Sequence, residues 1–99
     1  MISQSEEKIP EGKLLRVKVE LSDKTEILKV QITGDFFIHP EEKLKLIEEM
    51  LSSIDSKSSE EQLNDMISRI ILNNQIQLIG IDSEAIARNA RKAIDKAQK

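Results

Sequence analysis

The pattern of apolar residues predicts an α+β fold, a small antiparallel sheet of about three strands with helices packed on one face. Three observations carry that prediction. Residues 14–21 alternate apolar and polar, with Leu15, Val17, Val19 and Leu21 on one side and Arg16, Lys18 and Glu20 on the other. A second alternating run starts at Thr25 after the polar connection Ser22-Asp23-Lys24. From Leu44 onward the apolar residues switch to helical spacing. Alternation is the period of a half-buried strand, and spacing of three and four is that of an amphipathic helix.

Each element follows in chain order. Residues 1–8 are polar and predict a loose terminus. Pro10, Glu11 and Gly12 predict a turn. The first strand and the short connection then suit a hairpin. In the second strand Leu28, Val30 and Ile32 share the predicted inner face, and Ile27 breaks the pattern. Gly34 interrupts the run and predicts a bend or bulge. Asp35 to Ile38 reads as a third short strand that ends at His39, because the residue before a proline favours extended backbone.

Pro40 suits the first turn of a helix, and Glu41 and Glu42 complement its dipole. Leu44, Ile47, Leu51 and Ile54 form the apolar stripe of that helix. After the polar break at Asp55 to Ser58, Ser59 with Gln62 reads as a capping box. Leu63, Met66, Ile67, Ile70 and Ile71 follow on one face, and Asn73-Asn74 stops the helix. Residues 75–81 alternate again, as a fourth strand or an extended packed segment. Asp82 or Ser83 caps a last helix whose stripe is Ile86, Ala87, Ala90, Ala93, Ile94 and Ala97. The small residues of that stripe allow close packing.

Composition narrows the function classes. The 99 residues fit one domain, 1–99, with a modest core. Trp and Tyr are absent and only two Phe are present, which argues against a base-stacking platform. A net charge of −3 disfavours generic nucleic-acid binding. The charge is uneven: Arg88, Arg91, Lys92, Lys96 and Lys99 make the last segment basic, and the rest is acidic. Without Cys, thiolate metal sites, cysteine nucleophiles and disulfides are excluded. No apolar run approaches the roughly 20 residues of a membrane span. The start of the chain has no signal-peptide shape, so a cytoplasmic protein without a membrane partner is expected.

The rare residues gather in one stretch, Ile32-Thr33-Gly34-Asp35-Phe36-Phe37-Ile38-His39-Pro40. It holds both Phe, the one His and one of two Pro, at a strand-to-helix junction where partner-facing loops commonly lie. Phe36 and Phe37 are adjacent, so in a strand they point to opposite faces. The expectation is Phe36 in the core and Phe37 at an interface. His39 is of the residue type that most often serves as a general base, yet local sequence supplies it no partners, and a loop role is the ordinary reading. Asp35 beside Gly34 suits an Asx turn better than a Mg²⁺ or catalytic carboxylate. Lys13, Arg16 and Lys18 form a small basic group that an anion could meet, although with Glu20 nearby a solvated strand face explains them better. No Gly-rich phosphate loop is present, since Gly12, Gly34 and Gly80 are isolated.

Three segments together carry a family resemblance: Gly12-Lys13-Leu14-Leu15-Arg16-Val17, the Ile32–Pro40 stretch, and Ile79-Gly80-Ile81. The chain resembles the C-terminal accessory domain of lipoate–protein ligases, in particular the version found as a separate small subunit in bipartite archaeal enzymes. The resemblance runs from about Lys8 to Ile94 and places the domain at 9–95. Gly34-Asp35-Phe36-Phe37 with the following His-Pro is its most specific part. It implies an α+β fold similar to iron–sulfur cluster scaffolds, without their cysteine chemistry.

It further implies an accessory subunit that works with a separate catalytic subunit. The enzyme activates lipoate with ATP to lipoyl-adenylate, then transfers the lipoyl group to a Lys of lipoyl-domain acceptor proteins. ATP, Mg²⁺ and lipoate belong to the complex, and no cofactor is expected on this chain alone. No catalytic or metal residue is assigned here. Gly34, Asp35, Phe37 and His39 are the candidates for the partner interface, and Lys13 is the candidate to approach ATP phosphates. The alternatives are a free-standing binding or scaffold module, paired as a homodimer through strand edges, and a small hydrolase using His39 and Asp35.

Overall fold

The structure, a computed structural model, describes residues 1–10 and 13–98. Three strands, β1 (Ile2–Ile9), β2 (Lys13–Leu21) and β3 (Ile27–Gly34), form an antiparallel sheet in the order β1-β2-β3. Strands β4 (Phe37–His39) and β5 (Gln77–Ile79) form a separate two-stranded ribbon. Helices α1 (Leu44–Ser52), α2 (Glu60–Asn73) and α3 (Ser83–Ala97) complete the chain, and a 3-10 turn, Glu41–Lys43, leads into α1. Helix α3 packs on β1 and β2, α1 packs on β3, and α2 packs on α3. The predicted α+β architecture, with helices on one face of a three-stranded sheet, is the observed one, but the sheet's third strand is β1, and the short strand expected at Asp35–Ile38 is β4 of the separate ribbon, where it pairs with β5.

The core lies between sheet and helices. Leu15, Val17, Val19 and Leu21 of β2 all point into it, as their alternation requires. They meet Ile47 and Leu51 of α1, Leu63 and Ile67 of α2, and the Ala-rich stripe of α3. Ala85, Ala90, Ala93 and Ala97 are almost fully buried, which lets α3 lie close to the sheet. The capping box forms as its residues dictate. Gln62 N donates to Ser59 Oγ at 3.1 Å, and Ser59 N donates to Gln62 Oε1 at 2.8 Å. Asp82, rather than Ser83, caps α3 by accepting from Ala85 N at 2.8 Å.

Two further expectations are corrected. Residues 1–8 are not a loose terminus, because Ile2–Ile9 is the full-length strand β1 paired along β2 from Ile2↔Glu20 to Ile9↔Lys13. Its inner face is polar and is held by polar partners. Ser3 Oγ donates to the Ala93 carbonyl, and buried Ser5 donates to Asn89 Oδ1 at 2.8 Å. Glu7 receives a forked pair from Arg88, at 2.8 and 2.6 Å, and a third bond from Asn89 Nδ2 at 3.0 Å. The Arg88 hydrogen bond holds the Glu7 carboxyl below the usual glutamate range, against the opposing effect of burial. Asn89, fully buried on α3, spends its second amide hydrogen on the Ala85 carbonyl at 2.9 Å.

The second correction is at the start of β3, where Ile27 rather than Leu28 faces the core. Leu21 pairs with Ile27 while Glu20 pairs with Lys29, so Leu28 is the extra residue of a bulge and lies 55% exposed. Further along β3, Glu48 of α1 reaches the open edge, and its Oε2 accepts from Ile32 N at 2.8 Å. Of the turn expected at Pro10–Gly12, Pro10 lies in a turn, and Glu11 and Gly12 lie outside the described residues, as does Lys99.

Candidate functional site

The three segments that carry the family resemblance meet at one end of the molecule. Gly34, the last residue of β3, pairs with Leu15 of β2 and has φ +147°. A Cβ there would stand 2.1 Å from the Leu14 carbonyl oxygen, so the backbones touch where only glycine fits. The same carbonyl accepts from Asp35 N at 2.8 Å and fixes the turn that launches β4. Gly80, with φ +95°, follows β5 and closes the cluster. A Cβ on Gly80 would lie 3.7 Å from each of the Asp35 carbonyl oxygen, the Phe36 Cα and the Lys13 Cγ. The stem of Lys13 therefore lies beside the Asp35–Phe36 backbone.

From that anchor the ribbon displays its residues in strict alternation. Phe36 is half-buried and packs on the core, and Ile38 is buried. Phe37 is 66% exposed, and His39 is exposed two positions on. The Phe36-in, Phe37-out expectation therefore holds. In β5, Ile79 stands directly opposite Phe37, and Gln77 opposite His39. Cross-strand partners share a face, so Phe37, Ile79, His39 and Gln77 make one outward surface. Ile79 is 51% exposed. A shallow groove runs along the β4 side, lined in part by Thr33, Phe36, Glu41 and Leu44.

The structure thus gathers Lys13, Gly34 and Asp35 at the base of the ribbon and places Phe37 and His39 on its outer face. Sequence reasoning missed Gln77 and Ile79. Their signal was the alternation of residues 75–81, which showed a strand without showing which strand it pairs with. The outer face is suited to recognition by shape and apolar contact. Among the described residues, no group of three or more His, Asp or Glu side chains is arranged to hold a metal ion. Among the same residues, no helix is long and apolar enough to cross a membrane.

No family model matches the chain. It is, however, 37% identical over 71 residues to lipoate-protein ligase A subunit 2 of Thermoplasma acidophilum, a match covering 72% of this chain and 69% of that protein. A structure of an archaeal lipoylation system from the same organism, described as a bi-partite lipoate protein ligase and its E2 lipoyl domain, contains a chain of the same fold. That comparison has a TM-score of 0.71 at 30% identity and covers 92% of this chain and 96% of the other. The full-length structural agreement and the sequence identity point the same way as the Gly34–Pro40 element: the chain belongs to the family of the second subunit of two-part lipoate–protein ligases.

Proposed function

We propose that this chain is the accessory subunit of a two-part lipoate–protein ligase and is required for the step that activates lipoate with ATP. The activated lipoyl-adenylate is then spent on a Lys of a lipoyl-domain acceptor by the catalytic subunit. The observation that carries the reading is the ribbon end, where the Gly34–Pro40 element is built into an outward-facing surface and, among the described residues, no metal-holding cluster stands behind it. The described residues do not fit a nucleotide or Mg²⁺ site: the glycines form no phosphate-binding run in the sequence, no cluster of carboxylates stands ready for a metal ion, and one lysine stem stands at the ribbon base. ATP, Mg²⁺ and lipoate are therefore assigned to the catalytic subunit, with Lys13 reaching the ATP phosphates only from the rim. Gly34, Asp35, Phe37 and His39 lie on the partner-facing side.

The physical mechanism is a population shift. Interface contacts made only with the adenylation-competent arrangement of the catalytic subunit raise its population, tenfold for each roughly 1.4 kcal/mol of preference. The test is lipoate-dependent ATP–pyrophosphate exchange with each chain alone and with the two mixed. Exchange should need both chains. Supplying pre-formed lipoyl-adenylate should let the catalytic subunit alone lipoylate an acceptor domain. Lys13→Glu should slow exchange more than it weakens association. Exchange by this chain alone, or a strict need for it when starting from the adenylate, would refute the proposal.

A further inference from the structure

Among the described residues six large apolar side chains are substantially exposed: Met1, Ile2, Leu28, Phe37, Leu72 and Ile79. They segregate. Met1 lies at the β2–β3 hairpin end, where its amino group donates to the Leu21 carbonyl, and Ile2 on β1 and Leu28 on β3 lie at the same end of the sheet, on either side of β2. Phe37 and Ile79 stand side by side on the ribbon. Leu72 lies across a second shallow groove, shared with Ile71, Leu78 and Ile81, along the other edge of the ribbon. The ribbon thus carries an apolar ridge between two shallow grooves of mixed apolar and polar lining.

We infer that the outer face of the ribbon, Phe37 with Ile79 at its centre and His39 with Gln77 beside them, is the docking surface for the catalytic subunit. This rests on the function proposed above and adds which surface docks and what it needs in return. Three observations select this surface and occupant. Phe37 and Ile79 are adjacent across a ladder, so they present one continuous apolar contact rather than two isolated residues. The ribbon is tied to the body at its Phe37–Ile79 end, where Gly34 and Gly80, both with positive φ, stand together beside Lys13, and this anchor preorganises the ridge before any partner arrives. The chain's family is that of one half of a two-part enzyme, so a second polypeptide chain, rather than a small molecule, is the occupant.

The required partner surface follows from the chemistry. It is an apolar depression that receives Phe37 and Ile79, bordered by groups that hydrogen-bond to an imidazole and a primary amide. A stable interface takes roughly 800 Å² per partner, about an eighth of the 6123 Å² surface of this chain. That footprint exceeds the two central side chains and extends over the flanking grooves to Leu72 on one side and Glu41 on the other. Aromatic residues at the centre of such a footprint contribute most of the affinity.

The experiment uses the full chain and the purified catalytic subunit of the same source. Association is measured by calorimetry, and folding of each variant by thermal melting. Ile79→Ser should weaken association about tenfold, and Phe37→Ser with Ile79→Ser about a hundredfold or more, with melting unchanged. Leu28→Ser, at the opposite end, should leave affinity unchanged. Unaltered affinity in the folded double variant overturns the inference, while the proposed function stands if the wild-type pair still catalyses exchange. A wild-type chain that does not bind the catalytic subunit sinks both. A wild-type homodimer that the double variant abolishes, with heteromeric affinity intact, shows that the ridge meets a second copy and also overturns the inference.

Discussion

Replacing Asn89 with Ala should be among the most damaging single changes to the fold, although Ala is the better helix former. Asn89 is fully buried in the α3 face that meets β1. Its amide takes part in three hydrogen bonds, to Ser5 Oγ, Glu7 Oε1 and the Ala85 carbonyl. Each contributes about 0.5–1.5 kcal/mol net, and the buried Ser5 hydroxyl left unpaired costs a further ~1–3 kcal/mol. Glu7 keeps Arg88, and Ala regains roughly half a kcal/mol of helix propensity. The net expectation is a loss of about 2–7 kcal/mol, a large part of the ~5–15 kcal/mol that stabilises a small domain.

Because the chain has no Trp or Tyr, urea unfolding is best followed by circular dichroism at helix wavelengths. The double-mutant cycle with Ser5→Ala isolates the pair. Ser5→Ala removes the orphaned hydroxyl, so the double variant should lose less than the sum of the single variants. A loss under about 0.5 kcal/mol for Asn89→Ala, the range of an ordinary surface change, would mean that β1 is not held to α3 through this side chain.

Three further outcomes are expected. The Glu7 carboxyl titrates below its ordinary value in the folded chain, so it contributes stability that is present above the unfolded pKa, about 4.3, and lost as pH falls through the lower folded value; Glu7→Gln should flatten the acid limb of a stability-versus-pH curve, and an unchanged limb would contradict the ion pair. Gly34→Ala should destabilise by more than the roughly 1–3 kcal/mol of backbone strain alone, because its Cβ meets a carbonyl that already holds Asp35 N, and an unaltered melting temperature would show that the close approach is absent. Phe36→Ala should cost about 1–3 kcal/mol, less than the ~3–5 kcal/mol of a fully buried Phe, whereas Phe37→Ala should stay within about 0.5 kcal/mol; the reverse ranking in denaturant melts would put the ribbon register wrong by one residue.

What the sequence made legible was whatever depends on near neighbours. Ser59 and Gln62 are three positions apart, and their reciprocal bonds need nothing else. The alternation through β2 gave its inner face because that face meets only apolar groups. Strand β1 escaped for the opposite reason. Its inner residues Ser3, Ser5 and Glu7 are polar, matched to Asn89 and Arg88 more than 80 positions away, so no alternation of hydrophobicity marks the strand. One sign was available: Asn89 sits four residues from both Ala85 and Ala93, within the buried row of α3. The bulge that turns Ile27 inward was hidden because it is set by pairing with β2. At the candidate site, Phe36 and Phe37 could be sorted from adjacency alone, while Ile79 and Gln77 joined them only through β4–β5 pairing, which short strands do not announce. The ligase connection itself came from resemblance, since nothing in the residues' own chemistry names lipoate.

The bond from Ile32 N to Glu48 has a consequence for a subunit that is made apart from its partner. An edge strand offers a row of free amides to any passing strand, and an orphan chain waiting for assembly is exposed to its own copies throughout that wait. Glu48 occupies one of those amides with a carboxylate, so an incoming backbone carbonyl would have to displace a charged acceptor and accept its negative neighbour. Growth of the sheet through β3 is thereby discouraged at that point of the edge, by a side chain that lies outside the Phe37–Ile79 ridge of the ribbon.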